Sequence, residues 1–101
     1  MILHRDSFDR SPRTRGFGLV VTGGKVNDFD GMLYTYVSGV AHSSPADKMG
    51  LKPGDKILEW DGKCLINATF EQVQEIMDSS GNSAELIIEP LNRDIIMMMT
   101  G

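Results

Sequence analysis

The chain has 101 residues, 41% of them hydrophobic and 24% charged, which suits one domain able to bury a core without crosslinks. A net charge of −4 repels nucleic acid, and the few aromatic residues show no interleaving with basic ones. The longest apolar run, Ile95 to Met99, falls far short of the roughly 20 residues that span a bilayer. A single cysteine excludes an internal disulfide, and no charged-then-apolar signal segment opens the chain, so the expected setting is reducing and intracellular.

In chain order, residues 1–4 suit a short strand, and residues 5–16 (RDSFDRSPRTRG) read as a polar, basic loop with Pro12 inside it. Residues 17–22 (FGLVVT) and 32–40 (MLYTYVSGV) are β-branched, apolar runs separated by the turn chemistry of Asn27, Asp28 and Asp30-Gly31, which predicts a hairpin. In SSPADKMG, Ser44 suits a helix cap, Pro45 a first helical position and Gly50 a helix end. LKPGD then makes a turn.

Residues 56–61 (KILEWD) alternate as a strand, with Ile57 and Glu59 expected on one side and Leu58 and Trp60 on the other. Trp60 reads as structural and partly exposed. In residues 69–80, Phe70, Val73, Ile76 and Met77 follow helical spacing, and Thr69 with Gln72 has the spacing of a capping box. Gly81 can end that helix. Residues 84–89 (AELIIE) form a closing strand stopped by Pro90. The predicted fold class is α+β, mainly β: a small antiparallel sandwich or partly open barrel of five to six strands with two helices. Residues 1–91 make the domain, and 92–101 a C-terminal extension.

The stretch RGFGLVVTGGK, residues 15–25, asks what bare backbone is for. A dinucleotide fingerprint fails because Val21 stands where a third glycine belongs, and a strand follows where a helix is needed. A phosphate loop fails because Val26 follows Gly24-Lys25. Calcium fails on spacing: Gly31 as the sixth loop position puts Val26 first, and Asp28 first puts Gly39 last. His4 and His42 lie far apart and, with one cysteine, make no zinc quartet. Cys64 lacks a nearby base and reads as a half-buried structural thiol. Neither a metal nor a cofactor is expected. What remains for Gly16-Phe17-Gly18 is a turn whose N–H groups converge on an anion, ahead of an edge strand that an extended peptide can join.

Gly16-Phe17-Gly18-Leu19 resembles the carboxylate-binding loop of PDZ domains. The resemblance runs on through Gly23-Gly24, Ser44-Pro45-Ala46-Asp47, LKPGDKILEWDGK and NATFEQVQEIM, covering about residues 2–90. ILEWDGK and TFEQVQEI look most like the PDZ domains of presynaptic active-zone scaffolds of the Rab-interacting-molecule and Piccolo type.

The resemblance implies a non-enzymatic module that binds the C-terminal peptides of other proteins. It would be a monomeric domain of a larger cytoplasmic scaffold, touching membrane at most peripherally at a synapse or cell junction. It implies that the amides of Phe17, Gly18 and Leu19 hold the ligand's carboxylate, and that Phe17, Leu19, Val21 and Met77 line the pocket for its last side chain. Family members commonly carry a basic residue four positions before the first glycine; Pro12 stands there, leaving Arg13 or Arg15 as the substitute. Val20, Thr22, Ser38 and Gln74 would meet intermediate ligand residues.

Phe70, at the start of the long helix, would read the third-from-last ligand residue. An aromatic ring offers a hydroxyl no acceptor, which favours an apolar residue there, the class II preference. Without the resemblance, Phe70 reads as core and the arginines at 5, 10, 13 and 15 as a solvated loop. Two alternatives stay open: a regulatory PDZ domain of a multidomain enzyme, and acidic-lipid binding through the arginine-rich loop.

Overall fold

A computed structural model describes residues 1–6 and 14–91; Arg10, Pro12, Arg13 and the extension 92–101 lie outside the described residues. The strands are β1 (Ile2–His4), β2 (Leu19–Val26), β3 (Leu33–Val40), β4 (Lys56–Trp60), β5 (Lys63–Cys64) and β6 (Ser83–Glu89). The helices are α1 (Pro45–Lys48), between β3 and β4, and α2 (Phe70–Asp78), between β5 and β6. The strands join into one open antiparallel sheet in the order β1-β6-β4-β3-β2, with β5 paired to β4. β1 and β2 are therefore its two ends. This is the predicted fold class, with β5 added to the five strands read from the sequence.

Both helices start where capping chemistry puts them. The Ser44 hydroxyl accepts from the Asp47 N–H, with Pro45 in the first turn. The Thr69 hydroxyl accepts from the Gln72 N–H at 3.2 Å, while the Gln72 side chain accepts from the Thr69 N–H at 2.8 Å. That reciprocal pair is a complete capping box. Ser79 caps the C-terminus of α2 two residues before Gly81, whose carbonyl instead serves Arg5.

The core gathers Leu3, Phe17, Leu19, Val37, Leu51, Ile57, Trp60, Leu65, Val73, Met77 and Leu86. Trp60 meets Phe17 edge-on, with centroids 5.7 Å apart. It is wholly buried, contrary to the partial exposure expected, because its indole N–H is satisfied by the Ser80 hydroxyl at 2.6 Å.

Strict alternation in β4 also fails. Ile57 pairs with Ile88 and Glu59 with Ile87, so Leu58 is an extra residue. This bulge turns both Ile57 and Trp60 inward, where simple alternation places them on opposite faces. Cys64 is exposed, since β5 is a two-residue strand with both side chains outside.

Candidate functional site

Among the described residues β2 is an end strand, so its edge turned away from β3 is paired by no other strand, and α2 packs against β2. Sequence reading ends this strand at Thr22, but it continues through Gly23 and Gly24 to Val26. The two glycines are there for proximity. A Cβ on Gly23 would lie 2.9 Å from the Val73 side chain, and one on Gly24 2.6 Å from the Phe70 backbone nitrogen. Bare backbone at both positions lets the strand reach the first turn of α2.

Phe17 and Gly18, read as strand, belong to the turn that feeds β2. Gly16 and Gly18 take φ of +80° and +84°. The turn's carbonyls point inward: the Phe17 C=O accepts from the Ala46 N–H at 3.0 Å, and the Gly18 C=O from the Ala41 N–H at 2.8 Å. The Phe17 N–H donates to the Thr14 carbonyl at 2.9 Å. Among the described residues the Gly18 N–H finds no acceptor.

In an antiparallel ladder, the Ala41–Gly18 bond marks a bonded position, so its neighbour Leu19, opposite Val40, turns its N–H to the open edge. The turn thus offers two donors without a partner among the described residues, those of Gly18 and Leu19. Phe17, expected to supply a third, holds the turn together instead.

Below these donors, Phe17, Leu19, Val73 and Met77 are buried, with Val21 and Ile76 packed against them. Phe70, at the first position of α2, is 53% exposed and so is no core residue. Val20, Thr22 and Ser38 lie along the outer margin, where the Ser38 hydroxyl donates to the Val20 carbonyl at 3.0 Å. At the hairpin tip Phe29 is fully exposed. Beside it the Tyr34 hydroxyl donates to the Asp30 carboxylate, which holds that carboxyl below its ordinary value, helped by the Met32 N–H.

Of the four arginines expected in a solvated loop, the two described, Arg5 and Arg15, are both engaged. Arg15, at φ +53°, sends Nε to Asp78 Oδ1 at 2.6 Å and Nη2 to Gln74 Oε1, crossing from the glycine turn to α2. The structure thus brings Arg15 and Gln74 together, with Asp78, which sequence reading missed. Gln74 and Asp78 stand four apart on the helix and so share a face, a signal present in the spacing.

Arg5 departs from the expected solvated loop in the same way. Its guanidinium reaches the Gly81 carbonyl at 2.9 Å and lies 4.6 Å over the Phe17 ring, while Nη1 donates to the Arg15 carbonyl. α2 has no basic residue in its last turn. That deficit is the clue that its C-terminal carbonyls draw a cation from elsewhere.

An open edge strand beside a helix, headed by a glycine turn, is the layout that an extended peptide can join as a further strand. The PDZ domain family profile matches residues 7–89. The chain belongs to the PDZ family.

It is 41% identical over 91 residues to Rab-3-interacting molecule unc-10 of Caenorhabditis elegans, covering 87% of this chain and 6% of that protein. It is 31% identical over 86 residues to human protein piccolo, covering 83% of this chain and 2% of that one. The chain therefore spans a small fraction of these relatives.

Among solved structures it resembles the RIM1alpha PDZ domain in complex with an ELKS1b C-terminal peptide. That likeness has a TM-score of 0.72 and 38% identity, over 87% of this chain and 83% of that one.

Proposed function

We propose that residues 1–91 are a non-enzymatic recognition module that takes the C-terminal tail of a partner protein as an added strand between β2 and α2. The observation that carries this reading is the Gly18 N–H, which among the described residues has no acceptor and stands at the head of the unpaired edge of β2. The ligand carboxylate binds the Gly18 and Leu19 amides, and its last side chain enters between Phe17, Leu19, Val21 and Met77. Phe70 covers the third-from-last side chain, and its exposure supports an apolar, class II preference. The RIM1alpha neighbour, solved in complex with a C-terminal peptide, supports a C-terminal peptide as the ligand.

Main-chain hydrogen bonds of about 1 kcal/mol each, a charge-assisted carboxylate contact of about 2 and one or two buried side chains of about 2 each oppose association costs of several kcal/mol. Opposing terms of this size describe a weak, reversible interaction, expected at micromolar affinity. By likeness to its relatives, the module serves a cytoplasmic scaffold at the presynaptic active zone, as a monomeric unit with residues 92–101 an extension.

The test is a peptide panel with free and amidated C-termini, varied at the last and third-from-last positions. Micromolar binding that requires the free carboxylate and prefers apolar residues at both positions is expected. Binding indifferent to amidation overturns the reading.

A further inference from the structure

Arg15 and Asp78 face each other across the end of the groove where the carboxylate turn lies. Arg15 immediately precedes Gly16, and its side chain is only 15% exposed, whereas that of Asp78 is 64% exposed. The cation is the anchored partner, fixed at its root by a left-handed backbone and by the Arg5 bond to its carbonyl. The acid is the replaceable one. Both Asp78 and a ligand's terminal carboxylate are planar anions suited to the same guanidinium fork.

We propose that Asp78 is an affinity-determining residue that competes with the ligand's carboxylate for Arg15. This rests on the C-terminal reading given above. In the free domain the guanidinium is held on α2 by Asp78 and Gln74. An arriving carboxylate at the Gly18 and Leu19 amides enters the same turn and draws Arg15 from Asp78, or shares it at the expense of repulsion between two carboxylates. Asp78 thereby weakens binding of free C-termini and leaves amidated ones untouched. Gln74, uncharged, keeps Arg15 near α2 without opposing the ligand.

The experiment titrates a peptide ending Val-Ser-Val, made with a free and with an amidated C-terminus, into wild type, D78N, R15Q and the double variant. E71Q controls for net charge, since Glu71 lies exposed on the same helix. D78N is expected to tighten free-acid binding by roughly two- to fivefold, the range of an exposed ion pair, without changing amidated binding. In the R15Q background the D78N effect vanishes, and E71Q has none.

If wild type prefers the free acid but D78N leaves that binding unchanged or weaker, the competition is refuted and the C-terminal reading stands. Equal tightening of both peptides, or a D78N effect that persists with R15Q, also refutes it. If wild type does not distinguish the two peptides, both fall.

Discussion

The guanidinium of Arg5 lies 4.6 Å above the ring of Phe17 and continues to the carbonyls of Ser80 and Gly81. One side chain from the end of β1 therefore ties the glycine turn to the C-terminus of α2, the two walls of the groove. Charged hydrogen bonds to those carbonyls and the cation–π contact predict that Arg5→Met lowers stability by about 2 kcal/mol. Chemical denaturation measures this. Arg5→Lys recovers only part, because an ammonium cannot serve several carbonyls in one plane.

Gly18 and Gly62 make a matched pair. Both have positive φ, but a Cβ on Gly18 would stand 2.0 Å from the Ser44 Cβ, whereas one on Gly62 meets nothing within 4 Å. Gly62→Ala is expected to cost about 1 kcal/mol, the left-handed penalty alone. Gly18→Ala adds a clash with the cap of α1 and is expected to cost about 3 kcal/mol or more, as other severe core overpacking does. Thermal unfolding of the two variants checks the contrast.

What the sequence made legible were the features set by local chemistry. Ser44, Pro45, Thr69 and Gln72 mark both helix starts, because caps act within a single turn. The hairpin of β2 and β3 was legible in its β-branched runs and the turn residues between them. Three features were not, and each depends on residues distant in the chain. The bulge at Leu58 shows only against β6, and it decides that Trp60 points inward. Gly23 and Gly24 look like a turn until α2 lies against them. Arg5 and Arg15 look like solvated cations until the end of α2, more than sixty residues away in both cases, presents its acceptors.

Phe70 separates stability from recognition. Because its ring is half in solvent, Phe70→Ala is expected to cost about 1 kcal/mol of stability or less. Binding of a peptide with an apolar third-from-last residue should weaken roughly tenfold, as loss of one covered side chain implies. Phe70→His should shift preference toward Ser or Thr at that ligand position. Fluorescence anisotropy on paired peptides reads both effects, and an unchanged preference would exclude Phe70 as the reader.

The hairpin carries an acid-sensitive contact. The Asp30 carboxyl sits below its ordinary 3.8, first because the Tyr34 hydroxyl donates to it and next because the Met32 N–H does. A depressed folded value means the stabilisation is complete above pH 3.8 and is lost as pH falls through the folded value. Tyr34→Phe should raise the Asp30 titration toward 3.8 and flatten the loss of hairpin stability in acid. NMR titration of the Asp30 carboxyl carbon measures the shift.

The central claim is that a free C-terminus lands on the amides of the glycine turn and extends along β2. Backbone amide NMR, titrated with a free-acid peptide and its amidated twin, tests it directly. The predicted result is that the free acid moves the Gly18 and Leu19 amides most, with smaller shifts through Thr22 and along α2 from Phe70 to Met77, and that the amidated twin leaves Gly18 in place. The contradicting result is an unmoved Gly18 with the largest shifts on the opposite end of the sheet, at Ile2, Leu3 and His4.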